Sequence, residues 1–113
     1  MKHLKLVVDN SPKSKDIFFN KKELRTILNL YAQMVSNGEW KDYGLGISKR
    51  EVTFNIYRRA TEFPVYKIVK NLKVNNKNQK YCIKDSQNQI IKSSENLENL
   101  IKITSWKKLK IVN

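Results

Sequence analysis

The chain has almost none of the side chains on which metal sites and nucleophilic catalysis depend. It contains one histidine, His3, and one cysteine, Cys82, in 113 residues. A Ser-His-Asp or Cys-His site would have to recruit that histidine, and a zinc site would need carboxylates to complete its ligands. A single cysteine excludes an internal disulfide, fits a reducing compartment and, in the apolar run 81–83, is typical of a small buried side chain. We therefore expect no metal, no cofactor and no enzymatic activity.

Glycine and long apolar runs are scarce as well. The run Gly44-Leu45-Gly46 follows a predicted helix and lies inside a strand pattern, whereas the nucleotide-binding fingerprint needs a strand followed by a helix. These glycines are more typical of a bulge or a close packing contact. No segment approaches the roughly 18 apolar residues of a membrane span, and the apolar run 4–8 is too short for a signal peptide. We expect a cytoplasmic protein without integral membrane association.

Acidic residues are also few, with 10 Asp and Glu against 23 Lys and Arg, which gives a net charge of +13. Such a field suits an anionic partner. Lys, Asn and Ile make up 43 of the 113 residues and all have A/T-rich codons, so the choice of lysine over arginine carries no information. Codon bias does not by itself remove acids. The charge therefore indicates either an anion-binding face or a basic surface that is merely solvated.

One long helix is predicted from about Lys21 to Ser36. Asn20 is a good N-cap, Glu23 suits the first turn, and Gly38 suits the left-handed position after the helix. The apolar residues follow the helical period and predict one buried stripe. The members of that stripe are Leu24, Ile27, Leu28, Tyr31, Met34 and Val35.

After this helix the apolar period changes from 3.6 to 2. Residues 43–47 and 52–56 alternate around a turn at 48–51 and predict a hairpin, and 65–70 predicts a third strand. The stretch 71–80 has no period and is interpreted as an exposed loop, and 81–84 and 89–92 predict a second hairpin. Ser93 or Ser94 is expected to cap a shorter second helix, and Trp106 to Val112 is expected to add a last strand.

The predicted fold class is therefore α+β, with one long N-terminal helix, an antiparallel β-meander of about four to six strands and a shorter C-terminal helix. Residues 1–17 are expected to form a flexible arm or a short strand at 4–8, and residues 18–113 a single domain.

Two segments carry a resemblance to a known family. They are 28–43, LNLYAQMVSNGEWKDY, and 54–68, FNIYRRATEFPVYKI. Together they resemble a small uncharacterised bacterial family, domain of unknown function 2794, from about Phe18 to the C-terminus. The resemblance implies a small soluble bacterial protein and supplies no activity, cofactor or catalytic residue.

Arg58 and Arg59 are the first candidates for contact with an anionic partner. Adjacent strand residues point to opposite faces, so Arg59 is expected to face outward with Tyr57. Arg58 then falls on the core side, where it is expected to pair with a carboxylate such as Glu62 or to cap the sheet edge. A structural ion pair is the alternative for both arginines.

The leading functional prediction is a non-catalytic binding module for nucleic acid, RNA or single strands, in which lysines neutralise phosphates and tyrosines stack on bases. Another polyanion would satisfy the same charge. The candidate contacts are Arg59, Arg58, Tyr57, Tyr66, Lys67, Lys70, Lys73, Lys80, Tyr81, Lys107 and Lys108.

A protein-interaction or regulatory adaptor is the alternative prediction. It would use a sheet edge or Trp40, a large aromatic residue directly after the helix end. Such a residue can anchor an interface, although packing in the core is its more usual role.

Overall fold

The computed structural model describes residues 18–59, 63–73, 76–104 and 106. Within these ranges the chain forms a long helix, a five-stranded sheet and a short second helix, which confirms the predicted α+β class. The elements in chain order are α1 (Lys21–Ser36), β1 (Asp42–Ile47), β2 (Glu51–Tyr57), β3 (Tyr66–Asn71), a 3-10 turn (Lys77–Gln79), β4 (Tyr81–Asp85), β5 (Ile90–Ser94) and α2 (Leu97–Ile103). The predicted arm 1–17 and the strand expected after Trp106 lie outside the described residues.

The sheet is an antiparallel meander with the strands in the order β1-β2-β3-β4-β5. At one end of the sheet, which we call the loop end, Glu51 pairs with Asn71. This end carries the β1–β2 turn at 48–50 and the β3–β4 connection at 72–80. At the opposite end, which we call the far end, Tyr66 pairs with Asp85. This end carries the β2–β3 connection and the β4–β5 turn. Loops that are distant in sequence are therefore neighbours in space.

Helix α1 begins and ends where the local signals predict. The Asn20 side chain accepts a hydrogen bond from the Glu23 amide at 2.8 Å, and the Glu23 carboxylate accepts one from the Asn20 amide at 2.8 Å. This capping box pairs two amides that a helix start leaves without partners. Gly38 takes a φ of +77° just beyond the helix, a conformation that glycine adopts at little cost.

The buried face of α1 differs from the predicted stripe. Leu28 and Val35 were expected in the core but are 37% and 40% exposed, whereas Leu30 is 7% exposed. Glu23 is also buried, at 8% exposed, because two polar side chains from the sheet meet its carboxylate. The helix is thereby rotated towards Glu23, and its apolar flank next to β1 remains partly uncovered.

The core lies between one face of the sheet and the two helices. Alternate residues of the central strands point into it, so that Phe54 packs beside Leu45 and Ile68 in the register. At the far end, the rings of Trp40 and Trp106 meet edge to face with centroids 5.3 Å apart. The fully buried large side chains are Phe54, Ile27, Ile56, Ile68, Ile83, Leu100, Val52, Val69 and Cys82.

The start of α2 corrects a predicted cap. Asn96, not Ser93 or Ser94, is the N-cap, and its side chain accepts a hydrogen bond from the Asn99 amide at 2.8 Å. Ser93 and Ser94 are instead the last residues of β5. The Ser94 hydroxyl accepts a hydrogen bond from the Asn96 amide at 3.1 Å, so it supports the turn between strand and helix.

Two glycines of β1 provide a matched test of packing against β2. A Cβ added at Gly46 would lie 2.6 Å from Oγ1 of Thr53, whereas one added at Gly44 would lie 3.7 Å from the Tyr57 ring. Thr53 is β-branched and buried, so it has little freedom to move. We expect Gly46→Ala to lower the free energy of unfolding by about 1–3 kcal/mol. Gly44→Ala should leave it unchanged or raise it by a few tenths of a kcal/mol, because alanine restricts the unfolded chain.

Urea titration of both variants measures the difference. Equal effects at the two positions would contradict the close approach of β1 to Thr53.

Candidate functional site

The basic residues of the loop end form one exposed surface, which we call the basic end patch. Its members are Lys49, Arg50, Lys73, Lys77 and Lys80, and all five are exposed. The turn at 48–50 and the segment 71–80 contain no Asp or Glu. The patch therefore combines five positive charges without an acid in the same two connections.

Backbone hydrogen bonds hold the two connections of the patch side by side. The Leu72 amide donates to the Arg50 carbonyl at 2.7 Å and so joins the two connections. The Asn71 amide donates to the Lys80 carbonyl at 2.7 Å and closes the second connection on itself. Asn76 caps the 3-10 turn by accepting a bond from the Asn78 amide at 2.9 Å. These bonds order the backbone from which the lysines extend.

Two of the acids near the patch form ion pairs with lysines outside it, and a third, Glu95, is exposed near Asn78. Glu51 follows Arg50 directly, and its carboxylate lies 3.8 Å from the Lys84 ammonium. Glu98 at the start of α2 lies 3.6 Å from Lys22. Both pairs are partly or largely exposed and weak, but they offset part of the acidic charge near the loop end.

The candidate residues Arg58 and Arg59 lie at the far end of the sheet, away from the basic end patch. Arg59 is exposed and Arg58 is half-buried. Burial raises the pKa of the Tyr66 hydroxyl; Arg58 opposes this rise, while Asp85 and Glu39 add to it. Acids and bases are therefore mixed around Tyr66. The predicted partner of Arg58, Glu62, lies outside the described residues.

Tyr57 and Lys67 lie near the far end, on the sheet face away from the helices. Both are half-buried, and the Tyr57 ring lies over Gly44. The Lys67 ammonium donates to Oδ1 of Asn88 in the β4–β5 turn at 3.0 Å. Lys107 and Lys108 lie outside the described residues. The predicted contacts thus divide into two groups at opposite ends of the sheet, of which the loop end has two connections without an acid.

Four predicted contact residues are buried and belong to the core. Tyr66, Lys70 and Tyr81 are 8%, 8% and 6% exposed, and Trp40 is 3% exposed. The rings of Tyr66 and Trp40 both pack against Trp106, with centroids 5.9 and 5.3 Å away. In this fold the two tyrosines cannot stack on bases, and Trp40 cannot anchor a partner. Alternation within β3 and β4 places Tyr66, Lys70 and Tyr81 on the face that the helices cover, and Trp40 is buried by its contact with Trp106.

The buried polar residues form a cluster around Glu23, which we call the Glu23 cluster. One carboxylate oxygen accepts bonds from the Lys70 ammonium at 2.9 Å and from the Asn20 amide at 2.8 Å. The other oxygen accepts a bond from the Tyr81 hydroxyl. Lys70 also donates to the Phe18 carbonyl at 2.9 Å. The cluster joins the start of α1 to β3 and β4.

The protonation states in the cluster follow from these bonds. Burial alone would raise the pKa of the Glu23 carboxyl, but the bonds from Tyr81, Lys70 and Asn20 and the Lys70 charge outweigh it and lower that pKa. Burial raises the pKa of the Tyr81 hydroxyl, and the Glu23 carboxylate raises it further. Near neutral pH the cluster therefore holds a Glu23 carboxylate and a neutral Tyr81 phenol, which are hydrogen-bonded to each other. A structural role accounts for this arrangement.

Sequence reasoning missed Lys49, Arg50 and Lys77 as members of a common surface. A usable signal was present, because a four-strand meander necessarily places its first and third connections at the same end. The pairing of Glu23 with Lys70 and Tyr81 had no comparable signal, since it depends on how α1 is rotated over the sheet. Sequence reasoning interpreted Glu23 only as a cap.

Two further kinds of site have no support in the part of the chain that the structure describes. These residues contain no group of three or more His, Cys, Asp or Glu side chains that could hold a metal ion. None of their helices is long and apolar enough to cross a membrane. Burial raises the pKa of the Cys82 thiol, which disfavours the reactive thiolate.

The Glu23 cluster yields a prediction about stability. In Glu23→Gln the amide oxygen can still accept the Asn20 bond, so the cap is kept and the charge is lost. The buried Lys70 ammonium then lacks its counterion, and we expect the free energy of unfolding to fall by about 3 kcal/mol. The double variant Glu23→Gln/Lys70→Met should recover much of this loss. Chemical denaturation of the single and double variants measures the coupling, and strictly additive losses would contradict the ion pair.

The same cluster predicts how the free energy of unfolding depends on pH. The Glu23 carboxyl has a lowered pKa in the fold, so its contribution is present above its ordinary value of 4.5 and is lost as pH falls through the folded pKa. The stability difference between the wild type and Glu23→Gln should therefore be constant near pH 7 and shrink below about pH 4.5. Unfolding curves at several pH values test this. A difference that grows on acidification would show that the pKa is raised instead.

Comparison with known proteins places the chain in a family without assigning a function. The family model described as Protein of unknown function (DUF2794) matches residues 17–101. The match begins where the resemblance does and stops before the basic C-terminal tail. No curated protein and no solved structure matches the chain significantly. Because the matched range includes both helices nearly entirely and all five strands, the chain belongs to the DUF2794 family of proteins of unknown function.

Proposed function

We propose that this protein is a non-catalytic module that binds nucleic acid, RNA or single-stranded DNA, and that the basic end patch supplies its phosphate contacts. The observation that carries the proposal is the grouping of five exposed bases on two hydrogen-bonded connections that contain no acid. A surface of one sign attracts a polyanion and raises its rate of association.

The burial of Tyr66 and Tyr81 changes the expected mode of binding. Contacts to base edges give sequence preference, whereas lysine contacts to phosphates do not, and stacking on aromatic rings adds affinity with little preference. A patch of four lysines and one arginine without an exposed tyrosine should therefore bind the backbone with little sequence preference. Counterion release then provides most of the affinity.

The geometry of the patch also favours a flexible strand over a rigid duplex groove. Its bases extend from a tight turn and from a 3-10 turn, and the described part of the patch presents no helix or β-ribbon to enter a major groove. A single strand can follow the two connections because its backbone adapts to the spacing of the charges.

A cytoplasmic, bacterial setting is part of the proposal. The lone cysteine, Cys82, is buried as a free thiol, which suits a reducing compartment where nucleic acid is present.

The experiment is a salt series with a fluorescent single-stranded RNA and DNA of mixed sequence and the purified, nuclease-treated protein. Five phosphate contacts predict a slope of log K against log salt of about −3.5 for a single strand. Lys49→Gln/Lys77→Gln takes one base from each connection and should reduce the slope by about 1.4.

The matched control is Lys41→Gln/Arg59→Gln, which removes the same charge from the far end. It should leave the slope nearly unchanged. If the control loses as much slope as the patch variant, binding follows net charge alone. If the control loses more slope than the patch variant, the contact surface lies around Arg59. A wild-type affinity that does not change with salt would contradict the proposal.

A further inference from the structure

A polar groove lies beside the basic end patch, between the 3-10 turn and the start of α2. It has a volume of about 640 Å³ and is lined by Asn78 of the 3-10 turn, which also carries Lys77 and ends at Lys80. Ser94 lines the groove from the other side and pairs with Tyr81 at the loop end of the sheet. The groove and the patch therefore share one connection, and a ligand that contacts the lysines of this turn lies at the edge of the groove.

The side chains around the groove are all polar. In the part of the chain that the structure describes, three asparagines, two serines, two glutamates and one lysine line it. Its volume is within the range of about 300–1,000 Å³ that is usual for small-ligand sites, but such sites are mostly apolar. A lining of this kind suits a ligand that is recognised by hydrogen bonds along its edge. Unstacked bases of a single strand are recognised in this way.

The charge of the groove is balanced, in contrast to that of the patch. Its charged residues are Glu95, Glu98 and Lys102, and the Glu98 carboxylate lies 3.6 Å from the Lys22 ammonium. Two acids thus meet two bases around the groove, whereas the patch next to it has five bases. Phosphates are attracted to the patch, and an uncharged base can enter the groove without electrostatic cost. The two neighbouring surfaces therefore match the two parts of a nucleotide that a protein contacts.

The fold holds two of the asparagines in place. Ser94 is 8% exposed, and its hydroxyl accepts a hydrogen bond from the Asn99 side-chain amide at 3.2 Å. The Asn96 side chain accepts one from the Asn99 backbone amide at 2.8 Å. The second N–H and the carbonyl oxygen of the Asn99 side chain then remain as one donor and one acceptor. A side chain that is already ordered loses less conformational entropy when it binds a ligand.

Glu95 supplies the chemistry that distinguishes one base from another. It is exposed and lines the groove. A carboxylate has only acceptors, so it attracts the exocyclic amino group of cytosine. Uracil has a carbonyl oxygen at the same position, and two acceptors that face each other repel.

We propose that this groove binds bases of the strand whose phosphates contact the basic end patch, and that it prefers cytosine to uracil because Glu95 accepts the exocyclic amino group. Asn99 and Asn78 supply further hydrogen bonds to the edge of the base. The inference rests on the proposed nucleic-acid function and adds a source of sequence preference, which the lysines of the patch do not supply.

Oligocytidine and oligouridine of equal length test this preference near neutral pH. The two strands carry the same phosphates and riboses, so a difference in affinity reports on the bases alone. In fluorescence anisotropy, the purified, nuclease-treated full chain should bind oligocytidine about fivefold or more tightly than oligouridine. The slope of log K against log salt should be the same for both strands, because it depends on phosphate contacts.

Three substitutions separate the groove from the patch. Glu95→Gln can present a donor as well as an acceptor, so the ratio of the two affinities should fall to about twofold or less, while both affinities rise with the loss of a negative charge. The matched control Glu39→Gln removes the same charge at the far end and should keep the wild-type ratio. The patch variant Lys49→Gln/Lys77→Gln should reduce the salt slope and also keep the ratio.

A second groove variant protects the test against a loss of folding. Asn78→Ala removes a lining amide from the exposed 3-10 turn and should also lower the ratio. Circular dichroism establishes that each variant is folded, and Asn78→Ala replaces Glu95→Gln if the latter is not.

The possible results distinguish this proposal from the one on which it rests. Equal affinities for the two strands with a steep salt dependence would overturn base binding in the groove and leave the phosphate contacts of the patch intact. No binding of either strand at low salt would contradict both proposals. A preference for cytosine that persists in both groove variants, or that Glu39→Gln removes as effectively as Glu95→Gln, would place the base contacts elsewhere and overturn the assignment to the groove.

Discussion

The arrangement of this domain depends on the ion pair and the hydrogen bonds that the buried Glu23 carboxylate forms. It caps its own helix, neutralises the Lys70 ammonium and accepts the Tyr81 hydroxyl, so that one side chain joins α1, β3 and β4. A buried ion pair is costly to desolvate and is retained where its geometry is well satisfied. Here the buried pair also fixes the rotation of α1 over the sheet, because only one rotation brings the three groups together. Exposure of Leu28 and Val35 beside β1 follows from that rotation.

The meander topology then determines where charge accumulates. Consecutive antiparallel strands bring alternate connections to the same end, so the turn at 48–50 and the segment 71–80 combine their bases although they are more than twenty residues apart. The far end receives acids and bases together, around Tyr66. A high proportion of lysine in the sequence thus becomes an uneven surface, with two acid-free basic connections at one end, a mixed far end and an edge strand β1 whose only charged residue is Asp42.

Features that depend on local signals could be predicted from the sequence. The bounds of α1 follow from the Asn20 cap and Gly38, and the strands follow from alternation in runs such as 52–56. Features that depend on distant contacts could not. The buried stripe of α1 was misassigned because the burial of Glu23 requires Lys70 and Tyr81, which lie 47 and 58 residues away. The predicted cap of α2 lies too early in the chain because Ser94 belongs to the sheet. The tyrosines next to lysines were predicted to be exposed, but the pleat of the strands turns Tyr66 and Tyr81 into the core.

The pairing of Trp40 with Trp106 has an optical consequence. These are the two tryptophans of the chain, and their rings meet at the far end of the sheet, opposite the basic end patch. Intrinsic fluorescence therefore reports on the packing of one end of the molecule and is insensitive to charge changes at the other end. An emission shift would record the separation of Trp106 from Trp40 and Tyr66, whereas an anion that binds at the loop end would leave the spectrum unchanged. Tryptophan fluorescence can thus distinguish unfolding of the protein from anion binding at the basic end patch.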